Sequence, residues 1–561
     1  MYSKILSRFT GIMFPSVLAI ALLAQPYSAE ASPIEIVKIK SLTTSSSLKI
    51  ISHSRTVLLR GRARKGTEIA LRLRGSSKGK FRVKTDRRGR FEQRIKLTPG
   101  MSNLELRPIS RLKRPMAITI AYMPMQHTRS FNGSPTERLK SFERLFPDSL
   151  SYAADLPARA AATELSQSMA ELEGRESFSN RISLGLVFFG QFVDHDLDRI
   201  QTTSGQGPSV NPLAPLNIRT PALDLDSVYG AGPESSPILF SDDGLHFKLG
   251  KDGKDLLRDS SGKALIGDDR NDENGFIAAV HLSFQRYHNH LIDEMLHGGD
   301  ANALTPEQKT MLFNGVKNQI IARYQGIVAN QMSIAFSGRA IPDNLPPLTN
   351  IPIEFAGAVY RLGHTLVPQR VRIDQSGTSF SPVDPKLRGD ASVIDLKLLF
   401  GNNAQPAAGF DDKIAQAMRE LLIPLSPTDP GQGSAVGGNS PNIGGGKIID
   451  GVLHLDLIET NLLRGRELKL ASGEECFARI HNLSYQPAVH GNTDLFAYVL
   501  RESNRFGHLG EVGSNVFERT IGGILAADPY SYFNGGIFSE SEIKQFRQFT
   551  MEQMLRELGD L

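Results

Sequence analysis

The sequence predicts a small, basic, all-β module of immunoglobulin-like sandwich type, followed by a large, mainly α-helical domain. Three observations predict this. Apolar and polar residues alternate with a period of two from Thr56 to about Tyr122, helix-like spacings take over after residue 137, and the sign of the charge changes between the two parts. Residues 33–125 hold 23 Lys and Arg against 5 Asp and Glu, although the 561-residue chain has a formal net charge of only +5. The remainder is therefore acidic, and the two parts present different surfaces.

The chain opens with the pattern of a secretory signal peptide over residues 1–31. Lys4 and Arg8 precede an apolar run from Ile12 to Ala24, and Ala29-Glu30-Ala31 supplies a small-residue cleavage site. That run is short for a bilayer span and contains Pro15. No later stretch approaches the roughly 20 apolar residues that a spanning helix needs. The expectation is an exported protein, periplasmic or extracellular, with no transmembrane helix after signal cleavage. Its single cysteine, Cys476, excludes an intramolecular disulfide. Cys476 lies in Gly-Glu-Glu-Cys-Phe-Ala with no activating basic neighbour, and it reads as a buried structural thiol.

Residues 33–125 form the predicted β module. Glu68-Ile-Ala-Leu-Arg-Leu-Arg74, Lys80-Phe-Arg-Val-Lys84 and Phe91-Glu-Gln-Arg-Ile-Lys-Leu97 have the alternation of half-buried strands. Asp86-Arg-Arg-Gly-Arg90 and Thr98-Pro-Gly-Met101 supply turns at the spacing of an antiparallel immunoglobulin-like sandwich. The polar face is almost entirely Lys and Arg, which suits a polyanion or a charged cell-surface ligand. It equally suits a solvated face that keeps the module soluble. No base-reading motif accompanies it, so specific nucleic-acid recognition is not expected.

A polar linker, residues 126–136, leads to the helical domain over 137–561. Helices are expected at Arg181–Leu197, Glu273–Leu296, Pro306–Phe336 and Glu540–Leu558, and Ser426–Gly446 reads as a Gly/Pro/Ser-rich loop.

Within this domain, Phe189-Gly-Gln-Phe-Val-Asp-His-Asp-Leu-Asp198 turns from an apolar helix into carboxylates clustered around one imidazole. Helical spacing places Gln191 and His195 on one face, with Asp194 and Asp196 pointing away on either side. Taken alone, the segment could be surface carboxylates flanking a capped histidine. Its Gly-Gln-x-x-Asp-His-Asp-x-Asp string closely resembles the distal-histidine motif of the animal haem peroxidases, in the peroxidase-cyclooxygenase superfamily. The resemblance makes His195 the distal base, Gln191 a residue of the distal pocket, Asp194 a haem-ester former and Asp196 a calcium ligand.

Four further segments resemble the family in its order, over roughly residues 130–560. Thr220-Pro-Ala-Leu-Asp-Leu-Asp-Ser-Val-Tyr-Gly230 sets oxygen groups at alternate positions, as a hard cation with about six to eight oxygen ligands requires. An Asp-x-Asp alone is more often a loop cap. By resemblance, Thr220, the Ala222 carbonyl, Asp224 and Asp226 join Asp196 around calcium. Gly267-Asp-Asp-Arg-Asn-Asp-Glu-Asn274 resembles the segment of the catalytic arginine, Arg270, and of a second haem-ester carboxylate, Glu273. Asn274 stands where one branch of the family forms a methionine-sulfonium link, so that link is not available. His288 and His290 fall on an ordinary packing helix. Tyr360-Arg-Leu-Gly-His-Thr-Leu366 resembles the proximal motif, with His364 as iron ligand and Arg361 on a propionate. Asn461-Leu-Leu-Arg-Gly-Arg466 resembles the segment whose asparagine, Asn461, accepts the proximal N–H and whose arginine, Arg464, holds a propionate.

The resemblance implies a mainly α haem-peroxidase domain of a bacterial, secreted kind. Its cofactors would be haem b, attached through Asp194 and Glu273, and Ca2+. It would use hydrogen peroxide to oxidise halide, thiocyanate or small phenolic donors through a ferryl haem. Two alternatives stand beside this. A fatty-acid dioxygenase of this superfamily needs a radical-forming tyrosine three residues before the proximal histidine, where this chain has Arg361, with Tyr360 displaced by one. A catalytically degenerate adhesion or binding protein would use the basic module as its working surface.

Overall fold

The computed structural model describes residues 34–39, 48–52, 56–62, 65–66, 68–75, 79–96, 100–108, 116–122, 140–147, 149, 178–200, 215–217, 219–382, 384, 390–410, 421–424, 447–449, 452–534 and 538–561. The expected signal peptide, the linker at 126–136 and the Ser426–Gly446 loop lie outside them. The chain divides into two compact units, Met1–Thr128 with Asn534–Glu540 and Arg129–Phe533 with Ser541–Leu561.

The first unit contains strands β1 (Ile34–Ile39), β2 (Leu48–Ser52), β3 (Thr56–Arg62), β4 (Glu68–Gly75), β5 (Gly79–Lys84), β6 (Arg90–Lys96), β7 (Gly100–Pro108) and β8 (Met116–Tyr122). They form a three-stranded sheet in the order β1-β3-β6 and a five-stranded sheet in the order β2-β8-β7-β4-β5. Leu59, Ile69, Leu71, Leu73, Phe91, Ile95, Leu104 and Leu106 are buried, while Arg72, Lys80, Arg82, Lys84, Arg94 and Lys96 between them are exposed. The alternation therefore reports one apolar face, as the sequence predicts. It does not report strand direction. β1 pairs with β3, and β2 with β8, in parallel, where antiparallel pairing is expected throughout. Asp86 makes the corner from β5 to β6, its Oδ1 accepting the Arg88 and Arg90 amides at 2.8 Å each, and Gly89 takes a φ of 72° that favours glycine.

The second unit is rich in helices. Helix α1 (Leu184–Leu197) begins three residues later than expected, because Phe178–Ser183 is a strand paired with Pro406–Ala408 and the Leu184 amide bonds the Gln405 carbonyl at 2.8 Å. Helix α2 (Gly275–Leu296) is capped by Asn274, whose side chain accepts the Ile277 amide at 3.0 Å. Helix α3 (Pro306–Gly326) starts with a reciprocal Thr305/Gln308 capping box. The expected single helix to Phe336 is interrupted by a π-helical turn, Ile327–Met332, before Ser333–Ser337 resumes it. A Cβ at Gly326 would collide with the Phe546 carbonyl, so close backbone approach selects glycine where α3 ends. Helices α4 (Leu457–Glu467) and α5 (Glu511–Ala527) follow. The expected Glu540–Leu558 helix is two, α6 (Glu540–Gln548) and α7 (Met551–Glu557), because Thr550 starts a new capping box with Gln553. Among the described residues no helix is long and apolar enough to cross a membrane.

Every residue of α1 except Gln191 is buried. A helix apolar around most of its circumference is stable only when neighbours enclose it. Here Phe188 stacks on Phe276 at 4.6 Å and Phe192 on Phe284 at 5.1 Å, both on α2. Tyr324 of α3 meets Phe189 and Phe192 edge-on at 6.0 Å each. This aromatic packing fixes α1, and with it the polar last turn that carries Asp194, His195 and Asp196.

Candidate active site

His195 is 5% exposed and Arg270 6% exposed, and the structure brings the two together. Arg270 lies in a 3-10 turn, Asp269–Asp272, just ahead of α2. Its Nε and Nη2 donate to Asp268 Oδ1 and Oδ2 at 3.1 and 3.0 Å, and Nη2 also reaches the His195 and Asp198 carbonyls at 3.1 and 3.0 Å. Nη1 takes part in none of these bonds. Against the upward push of burial, Arg270 and Arg219 hold the Asp268 carboxyl below its usual range. The His195 ring faces Asn271, Nδ1 to Oδ1 at 2.9 Å. Burial, reinforced by Arg270, lowers His195 to about 3, so the ring is neutral. Gln191 lies beside it as expected, its Nε2 donating to Glu273 Oε2 at 3.1 Å, while Asn274 Nδ2 approaches Gln191 Oε1 at 3.4 Å.

His364 lies on a 3-10 segment, Tyr360–Leu366, that follows a π-helical turn, Phe355–Val359. Burial and the nearby Arg361 lower it to about 3, which again leaves a neutral imidazole. Its Nδ1 is 3.1 Å from the Asn461 amide nitrogen, and Asn461 Oδ1 is buried without a partner. The two ends of an amide have nearly the same shape, and exchanging them lets Oδ1 accept the His364 N–H. Asn461 is placed by α4, which starts at Asp456, whose carboxylate accepts the Ile458 and Glu459 amides at 2.8 and 3.2 Å. Arg464, one turn later, is 6% exposed, and burial together with Arg361 lowers it to about 9. Arg361 Nη1 lies 3.3 Å from Asp194 Oδ2 and Nη2 3.5 Å from Asp198 Oδ1, so the segment bearing His364 meets the helix bearing His195.

The expected cation ligands also converge. Asp196, Asp224 and Asp226 are buried and offer carboxylate oxygens that all lie within 4.8 Å of one another. Burial and the Asp226 charge push Asp196 upward. Thr220 Oγ1 donates to Asp226 Oδ2 at 2.9 Å, and Asp196 Oδ2 accepts the Asp224 and Leu225 amides at 3.1 and 3.0 Å. The Ala222 amide bonds the Thr220 carbonyl at 2.7 Å within the same loop. Arg219 also enters the cluster, paired with Asp226 and 3.4 Å from Asp268.

Sequence reasoning missed Asp198, Arg219, Asp268, Asn271 and His281. Asn271 and Asp268 flank Arg270 in the chain, and that adjacency was the available signal. His281 sits on α2 in an apolar stretch that gives no hint of a polar partner. Two side readings are met. His288 is fully buried between Tyr229 (hydroxyl to Nδ1, 3.1 Å) and the Leu245 carbonyl (Nε2, 2.8 Å), a packing role, and Cys476 is fully buried. The Tyr360 hydroxyl donates to the Gly190 carbonyl of α1 at 3.0 Å.

Residues 200–472 match the animal haem peroxidase family. That segment is just under half of the chain, and its match supports a place in the peroxidase-cyclooxygenase superfamily. The matched segment includes Arg270, Glu273, His364, Asn461 and Arg464, and the His195 motif lies immediately before it. Among solved structures, peroxidase A from Dictyostelium discoideum is similar in fold, with 15% identity, 74% of this chain and 93% of that chain covered, and a TM-score of 0.51. Fatty acid alpha-dioxygenase from Oryza sativa, solved with palmitic acid, is 15% identical over 75% of this chain and 82% of that chain, with a TM-score of 0.53. The Arabidopsis thaliana alpha-dioxygenase is 16% identical over 69% and 73%, with a TM-score of 0.50. No curated protein matches the chain significantly.

Proposed function

We propose that the helical unit is a hydrogen-peroxide-dependent haem peroxidase acting on small anionic or phenolic donors such as halide, thiocyanate or phenols. The single observation that supports this best is the convergence of a buried neutral His195, a buried Arg270 and, through the Arg361–Asp194 contact, the segment of His364.

The residues fit a haem. His364 is neutral, as a metal-ligating imidazole must be. Arg361 and Arg464 gather two cations in a buried place, an arrangement that suits propionate carboxylates. Asp194 Oδ1 is buried without a partner, which suits an ester at that carboxyl; Glu273, bonded to Gln191, would supply the second ester. When bound, haem supplies the redox chemistry, the two-electron reduction of peroxide and the withdrawal of electrons from the donor.

The protein's part is proton transfer and charge. His195 Nε2 takes the proton from one peroxide oxygen and returns it to the other, which leaves as water. Arg270 stabilises negative charge on that leaving oxygen, and Asp268 fixes the direction of its guanidinium. Asn461 orients the His364 ring.

Asp196, Asp224, Asp226, Thr220 and the Ala222 carbonyl would hold calcium, whose charge offsets the mutual repulsion of the carboxylates. Export to a periplasmic or extracellular space is supported by the Lys4, Arg8 and Ile12–Ala24 pattern. The exposed Lys80, Arg82 and Lys84 support polyanion binding by the basic unit, and their joint replacement by Glu should lower the salt needed to elute the protein from a sulfated-polysaccharide column.

Haem-supplied full-length protein should show a Soret band, lose it in His364→Ala, and oxidise iodide or guaiacol on addition of peroxide. A wild type with calcium and haem but no Soret band would overturn the reading and favour a catalytically degenerate binding protein. The dioxygenase reading gains nothing from Tyr360, whose hydroxyl is committed to Gly190.

A further inference from the structure

Asn271 joins two buried imidazoles. It is fully buried, its Oδ1 is 2.9 Å from His195 Nδ1, and its Nδ2 is 3.0 Å from Nδ1 of His281, itself fully buried on α2. His281 is placed by packing, edge-on to Phe192 at 6.1 Å. His281 Nε2 is buried without a partner, so Asn271 supplies its polar contact.

An amide has one end that only accepts and one that only donates. With oxygen toward His195, that ring must carry its proton on Nδ1 and present the Nε2 lone pair, while His281 accepts at Nδ1 and keeps its proton on Nε2. With the amide reversed, His195 Nε2 becomes a donor and cannot take a proton. The orientation of one buried side chain therefore decides whether His195 can act as a base.

We propose that Asn271, held by His281, is a positioning residue that fixes His195 in the Nδ1–H tautomer. This rests on the peroxidase reading above, in which Nε2 moves the proton. Asn271 touches neither substrate nor cofactor in this role; it acts through His195.

The test uses haem-loaded, full-length wild type and Asn271→Leu, Asn271→Asp and His281→Phe. Cyanide association, read from the Soret shift, reports proton transfer at the distal side without turnover. Asn271→Leu should slow it by about 10²-fold, the lower end of a general-base contribution, with donor KM unchanged. Asn271→Asp, whose carboxylate accepts the same N–H, should stay within about 3-fold, whereas His281→Phe, which frees the amide to reverse, should lose about 10-fold, as expected for an outer partner. In the diamagnetic ferrous carbonyl complex, 15N-histidine spectra should show His195 protonated at Nδ1. A normal Soret band with an unchanged cyanide rate in Asn271→Leu would sink the positioning role while leaving the peroxidase reading intact, whereas Nε2 protonation of His195 in the wild type would sink both that role and His195 as the base. If Asn271→Leu loses its haem or its fold, Asn271→Asp, His281→Phe and the wild-type spectrum still decide.

Discussion

Arg361 Nη1 sits 3.3 Å from Asp194 Oδ2, and its Nε donates to the Ala356 carbonyl at 2.8 Å, so one guanidinium links the two histidine-bearing segments. In haem-free protein, where Asp194 is a free carboxylate, Arg361→Leu leaves the buried Asp194 and Asp198 without this cation. We expect a loss of about 3 kcal/mol in chemical denaturation, the lower end for breaking a buried pair. Arg361→Lys should recover part of it. Equal stability of Arg361→Leu and wild type would show that the contact contributes nothing to the fold.

The buried, unpartnered Asp194 Oδ1 predicts a covalent tether. After brief treatment with peroxide, wild-type haem should stay with the protein through acidified-acetone extraction, and Asp194→Asn/Glu273→Gln should release nearly all of it. Complete release from the wild type would rule the esters out.

The carboxylate cluster predicts stabilisation by calcium. Free calcium at about 100 times its Kd should add about 2.7 kcal/mol to the unfolding free energy, and chelation should remove it. Asp224→Asn should abolish most of the response. An unfolding midpoint indifferent to both calcium and chelator would mean that Arg219 alone neutralises the cluster.

Acid sensitivity should be visible at a site remote from the chemistry. Burial lowers His288 from an ordinary 6.5 to about 3. Between those values the unfolded chain holds a proton that the folded one does not. Stability from this group is complete above pH 6.5 and declines as the pH falls toward 3, by about 1.4 kcal/mol per pH unit where the difference is one full proton. His288→Gln should be less stable at neutral pH yet show a shallower decline on acidification. Parallel stability curves would contradict the assignment.

The sequence marked the polar strings more clearly than the geometry that brings them together. His195, Gln191 and Arg270 were singled out by the resemblance of their polar strings to the family's motifs, and spacing alone gave only the shared helix face of Gln191 and His195. The start of α1 was misplaced, since Phe178–Ser183 is paired into a strand by residues more than 200 positions away. The break after Gly326 was equally hidden, because the atom that forbids a side chain there belongs to Phe546. Strand alternation located β4 and β6 but could not give direction, and two parallel pairings went unforeseen. Asn271 escaped because a buried amide between two rings has no periodic signature; only the fold shows that both rings reach it.

Arg270 donates to the carbonyls of His195 and Asp198 at the end of α1 as well as to Asp268. Those carbonyls belong to the last turn, where helix acceptors lack partners and a cation is welcome. The arginine thus terminates the helix that bears His195. Their separation is set by a contact within one local structure, and breathing of the outer shell leaves it unchanged. The corollary concerns protein engineering: Arg270 cannot be exchanged without also fraying the turn that carries His195.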